Sequence, residues 1–174
     1  MIVKTMAEYF ADGKQPEILF WVGSAGSYDD RAKKITKAFV KILNKANVEF
    51  GVLGPEESST GDAAKRSGNE FLFQMQAMMN IEVLNAYEVK RIVTCDPHSF
   101  NCLKNEYPSL GGNYDVVHHT QYIKELISSG RLSLEGNTYK GKRITFHDNS
   151  HQSNLMYMYC IDFHDKINAF HRFS

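Results

Sequence analysis

Histidine, cysteine, aspartate and serine recur along this chain in short runs, and these are side chains that bind metals and move protons. The densest runs hold Ser24, Ser59, Cys95-Asp96-Pro97-His98-Ser99, His118-His119 and His147-Asp148-Asn149-Ser150. Thiolate, imidazole and carboxylate are zinc-type ligands. Cys95, Asp96, His98, His118, His119, His147 and Asp148 therefore offer one reading, a metal-binding or hydrolytic site, although their spacing matches no standard zinc pattern. Gly23-Ser24-Ala25-Gly26-Ser27 stands before a helix and could hold an anion on backbone N–H groups, but it is neither a Walker loop nor a dinucleotide fingerprint. Cys95, Cys102 and Cys160 are odd in number and at no metal-finger spacing, which argues for reduced thiols over a disulfide framework.

The elements that must position these runs alternate. Glu17 to Val22 (EILFWV) reads as a strand, Gly23 to Ser27 as a turn, and Asp29 or Asp30 as the cap of a helix with Ile35, Phe39, Ile42, Leu43 and Ala46 at helical spacing. Val48 to Leu53 reads as the next strand, residues 54–61 as its loop, and Asp62 as the cap of one long helix ending near Asn85. That helix carries Phe71, Leu72, Phe73, Met75, Met78 and Met79 on more than one face, which predicts burial between the sheet and a second layer, with an interface as the other reading. Arg91 to Thr94 begins a third unit whose short helix is stopped by Pro108 and Gly111-Gly112. Asp115 to Val117 begins a fourth, with a helix from about Thr120 to Ser129 closed by Gly130, and Arg143 to Phe146 reads as a fifth strand.

This alternation predicts an α/β fold, an open parallel sheet of about five strands with helices on its faces. All strand-to-helix loops then gather at the carboxyl edge, where such sheets bind ligands, and His98, His118, His119, His147 and His151 fall on or beside them. Loops carry polar residues in any α/β protein, so the histidines are equally what a plain loop edge would show.

With 174 residues, 43% hydrophobic and 23% charged, the chain is of one domain's length and globular composition. Twenty basic residues balance twenty acidic ones, which disfavours nucleic acid and anionic lipid as partners. The longest apolar run, Leu155 to Ile161, is too short to span a bilayer, and the first residues lack the apolar stretch of a signal peptide; the expected location is cytoplasmic.

Several loops resemble the cysteine-rich (CCG) domain of iron–sulfur oxidoreductases, of the heterodisulfide reductase and glycolate or lactate oxidation type: Trp21 to Arg31 (WVGSAGSYDDR), Glu56 to Asp62 (EESSTGD), Pro97 to Asn101 (PHSFN), His118 to Gln121 (HHTQ) and Thr145 to Asp148 (TFHD). The resemblance covers roughly residues 5–150, taken as a CCG-like domain over 1–150 with the start of a second unit, and leaves 151–174 as an unrecognised apolar and aromatic tail. It implies an electron-transfer domain with an iron–sulfur cluster and redox partner subunits of flavoprotein or ferredoxin type. In that family the loops read W-V-G-C-A-G, E-E-S-C-T-G, T-C-P-H-C-F-N and H-D-P-C, and the implied ligand positions fall here on Ser24, Ser59, Asp96, Ser99 and Ser150.

None of these is cysteine. A serine hydroxyl has no access to its anion comparable to a thiol's, so the substitutions predict loss of an ordinary cluster, with Ser24, Ser59 and Ser99 capping turns instead. Three functions remain open: an electron-transfer module, a rebuilt metal or hydrolytic site at the same edge, and a cluster-free scaffold or interaction domain. The tail is expected to be buried, as a strand or as a homodimer contact.

Overall fold

The computed structural model describes residues 3–133. Its centre is Ile18-Leu19-Phe20-Trp21, four apolar residues that are all buried, as a strand covered on both faces must be. Leu19 and Trp21 enter one apolar cluster and Ile18 the other, with Phe20, so successive side chains feed opposite layers.

Among the described residues five strands form the sheet: β1 (Lys4–Thr5), β2 (Ile18–Trp21), β3 (Phe50–Val52), β4 (Arg91–Thr94) and β5 (Asp115–His118). Their order is β1-β3-β2-β4-β5 and every pairing is parallel. Connections from β2 run outward on one side to β3, whereas β4 and β5 lie on the other. The chain reverses direction beside β2, the kind of switch point where a crevice opens. Trp21 pairs with Thr94, and Thr94 with His118, so three strands end level at one rim.

Seven α-helices among the described residues surround the sheet: α1 (Met6–Ala11), α2 (Gly23–Tyr28), α3 (Asp30–Lys45), α4 (Asp62–Arg66), α5 (Glu70–Ala86), α6 (Pro97–Asn101) and α7 (His119–Ser128). α3 and α7 pack Phe39, Val40, Leu43, Tyr122 and Leu126 on one face. α5 and the segment after α6 pack Phe73, Ala77, Leu84, Leu103 and Tyr107 on the other. The parallel α/β architecture is thus the one expected from the alternation of strands and helices.

Several local expectations are corrected. Residues 23–27 form the body of α2 and not a turn, because the carboxylate of Glu57 accepts the N–H groups of Val22 (2.9 Å) and Gly23 (2.6 Å) and so caps a helix from a distant loop. The helix expected from Asp62 to Asn85 is two. It breaks at Gly68, which sits at φ +81°, and α5 restarts where Asn69 accepts the N–H of Leu72. Asp62 lies inside α4, whose N-cap is Gly61. The loop expected through Ser99 is already helical from Pro97, with Asp96 as cap. β1 and α1 are not among the expected elements, although Thr5 and Glu8 form a capping box at the start of α1. On α5 only Phe73 of the large residues singled out is buried; Phe71, Leu72, Met75, Met78 and Met79 are exposed. The strand expected at 143–146 and the tail lie outside the described residues. Among the described residues no helix is long and apolar enough to cross a membrane.

Candidate functional site

A cavity of about 290 Å³ opens at the carboxyl edge beside β2. Its wall is drawn from the ends of β2, β3 and β4: Trp21 and Ser24 from the first, Ser58, Ser59 and Asp62 from the second, Asp96, His98 and Ser99 from the third. Ser24, Ser59, Asp96 and Ser99 therefore meet in one place, with His98 among them. A smaller depression at the opposite, amino edge, around Gln15 to Leu19 and Tyr87 to Arg91, lies away from these loops.

Each polar group has a local reason for its position. Asp96 caps α6, accepting the N–H groups of His98 and Ser99 at 3.2 Å each, and the Ser99 hydroxyl donates to the same carboxylate at 2.6 Å. Ser59 Oγ accepts the N–H of Gly61 at 3.2 Å, a turn made by a hydroxyl two residues back. His98 Nδ1 lies 2.9 Å from Asp62 Oδ2, and Arg66 Nε reaches both oxygens of Asp62 at 3.0 Å. The Ser24 hydroxyl, on α2, makes no side-chain hydrogen bond among the described residues. Trp21 is buried, and its indole N–H likewise finds no acceptor there.

Next to the cavity-lining Ser58, Glu57 is half-buried. Desolvation pushes its carboxyl up to about 7 against the pull of the Val22 and Gly23 N–H donors, and the charge of Asp96 adds to the rise. Gly23 sits at φ +77°, and a Cβ there would stand 3.1 Å from Asp96 Oδ2, so close approach of the first loop to the third requires glycine. On the second loop Asn80 of α5 donates to Ser59 O (2.8 Å) while Tyr107 donates to Thr60 O (3.1 Å), tying that loop to the helical layer. Neither Glu57 nor Asn80 is identifiable as a site-building residue from sequence. Glu57 stands in a run with an equivalent neighbour, Glu56, and Asn80 in an apolar helix.

The other candidates are placed apart. Cys95 packs with the α3 and α7 layer, and burial pushes its thiol up to about 12. Cys102 is fully buried in the opposite layer, donates S–H to Thr60 O at 3.3 Å, and is likewise pushed up to about 12, chiefly by burial. The rings of His118 and His119 are 4.2 Å apart, but His118 leans edge-on to Phe100 and His119 to Phe39, on opposite sides of the sheet. Burial, helped by His119, pushes His118 down to about 3, so it is a neutral ring whose Nδ1 meets Thr120 Oγ1 at 2.9 Å. Among the described residues no three His, Cys, Asp or Glu side chains are grouped to hold a metal ion. Ser150 and His147 lie outside the described residues.

A parallel α/β domain with a cavity built by three βα loops at its switch point has the architecture in which open parallel sheets bind ligands. The family model for the cysteine-rich domain called CCG matches residues 18–104, which hold all three loops. The chain belongs to that family, an iron–sulfur oxidoreductase family by its relatives. It is 47% identical over 146 residues to the Bacillus subtilis (strain 168) protein named probable iron–sulfur-binding oxidoreductase FadF, a match that covers 84% of this chain and 20% of that protein. To the EtfAB:quinone oxidoreductase of Syntrophomonas wolfei subsp. wolfei it is 46% identical over 137 residues, 79% of this chain and 19% of that protein. One component of the dihydromethanophenazine:CoB–CoM heterodisulfide reductase of Methanosarcina barkeri is 28% identical over 141 residues, 78% of this chain and 34% of that component. The chain thus spans about a fifth of the length of the curated relatives that match it at high identity. No solved structure matches it.

The family implies an iron–sulfur cluster, and the residues around the cavity can be tested against one. They offer hydroxyl, carboxylate and imidazole groups, whereas clusters are held by thiolates. The two described cysteines belong to the hydrophobic layers, with thiols held protonated by burial. The described side chains at this edge do not fit a thiolate-held cluster.

Proposed function

We propose that this chain is an electron-transfer-type domain of the iron–sulfur oxidoreductase family that carries no cluster at its carboxyl edge, and that it serves as a cluster-free scaffold or interaction domain among redox partner subunits. The observation that carries this reading is the donor set of the cavity: oxygen atoms of Ser24, Ser59, Asp96 and Ser99, two of which are already used to cap a turn and a helix. A thiolate binds iron because its parent thiol ionises near neutrality, which no hydroxyl does. The partners, of flavoprotein or ferredoxin type, are supported by the names of relatives that are electron-transfer oxidoreductases several times this chain's length.

The test is anaerobic incubation of the purified chain with ferrous iron and sulfide, followed by desalting. The expected product is colourless, with no broad visible absorption and no bound iron. A brown protein holding iron and acid-labile sulfide in proportion would overturn the proposal.

A further inference from the structure

The outward face of α5 is apolar where a surface helix is ordinarily polar. Phe73, Ala77, Asn80, Ile81 and Leu84 face the core, and away from them stand Phe71 (75% exposed), Leu72 (39%), Met75 (47%), Met78 (60%) and Met79 (58%). Large free side chains expose about 200 Å² each, so this stripe presents roughly 500 Å² of contiguous apolar surface. That is in the upper part of the ~300–600 Å² range of the largest apolar patch on an ordinary monomer, a patch that is often functional, and here it is concentrated on one helix.

The order of residues says what kind of contact. Around Met75 the exposed sequence nearly reads the same in both directions: Gln74 and Gln76 flank it, then Leu72 answers Met78, and Phe71 answers Met79. A face with this symmetry is complementary to itself when two copies cross antiparallel, because a twofold contact sets each residue against its counterpart. In that register Met75 meets Met75 on the axis, Leu72 meets Met78, and Phe71 meets Met79. Thioethers fill the irregular gaps such a crossing leaves. In the same register Glu82, an acidic residue on the outward stripe, falls opposite Gly68, at the N-terminal end of the other copy's α5, where Lys65 lies 3.8 Å from the first-turn Glu70. The apolar centre supplies much of the ~800 Å² per partner that a stable pair needs, and Gln74, Gln76 and Glu82 supply a polar rim.

We infer that the occupant of this face is a second copy of this chain, joined through α5 in an antiparallel, twofold contact centred on Met75. The contact does not depend on whether the carboxyl-edge cavity holds a cluster. It is tested by sedimentation equilibrium or light scattering on the full 174-residue chain and on Met75→Glu, which sets two carboxylates against each other on the axis. The expected wild-type mass is twice the 19.9 kDa of one chain, and the variant is expected to lose the dimer while keeping its circular dichroism and unfolding midpoint, since Met75 is about half exposed and belongs to neither buried cluster. Met75→Cys gives a second reading, because under oxidation a residue on the axis joins to its own counterpart and a disulfide dimer forms in high yield. A wild-type chain that stays monomeric at about 100 µM overturns the inference, including one that binds lipid vesicles as a monomer. So does a dimer that survives Met75→Glu, since its contact would lie elsewhere.

Discussion

At the residue scale, the histidines show how the same side chain type takes separate roles at one edge. His98 is half exposed and paired to Asp62, whereas His118 is buried, neutral and pressed against Phe100. Because the folded-state His118 is held at about 3 against an ordinary 6.5, the unfolded chain takes up a proton that the folded chain refuses. Its contribution to stability is full above about pH 6.5 and is lost as pH falls toward 3. Glu57 works the other way, since its raised carboxyl favours the folded state below about 4.5 and loses that advantage as pH rises through 7. Comparing wild type with His118→Asn cancels the Glu57 contribution. Urea unfolding at about pH 7.5 and pH 5 is expected to show wild type losing about 2 kcal/mol more than the variant across that interval. Equal losses would mean that His118 titrates in the folded protein.

At the element scale, the loop after β3 is held by a tight fit to α5. Gly61 sits at φ +85°, and a Cβ there would stand 2.8 Å from Phe73 Cδ2 and 3.2 Å from Phe73 O, inside ordinary contact distance of a rigid, buried ring. Gly61→Ala should therefore combine a left-handed backbone penalty with overpacking and cost about 2–4 kcal/mol, read as a lowered urea midpoint at unchanged slope. An unchanged midpoint would show that α5 is not seated on this loop. The break at Gly68 has the opposite character. A Cβ there meets nothing within 4 Å, so only its φ of +81° demands glycine.

At the scale of the whole molecule, three loops far apart in sequence converge because parallel strands deliver them to one rim. Serine is close to isosteric with cysteine, so restoring Ser24→Cys, Ser59→Cys, Asp96→Cys and Ser99→Cys together is expected to let iron and sulfide assemble a cluster, whereas single restorations fail. Asp96→Cys has a structural consequence of its own, since that carboxylate accepts three hydrogen bonds at the head of α6. Loss of this cap is expected to lower stability by about 1–2 kcal/mol. A quadruple variant that is folded and reduced but takes up no iron, by absorbance and by metal analysis, would show that these loops no longer form a cluster cradle.

Strands β2 to β5, the main helices that follow them and the edge at which they place Ser24, Ser59, Asp96, His98 and Ser99 are legible in sequence, because apolar runs and helical periodicity are local and a parallel sheet leaves its loops one place to go. The resemblance of those loops to the CCG family is legible for the same reason, being carried in short contiguous motifs. What nearest neighbours in sequence do not encode is not legible. Residues 23–27 become helical because Glu57 reaches their N–H groups from another loop. Cys95 and Asp96 are adjacent in sequence, yet one enters a hydrophobic layer and the other lines the cavity. Composition alone predicts burial for the apolar α5, since it reports how much apolar surface a helix has; only the fold decides which face finds the sheet and which is left to meet something else.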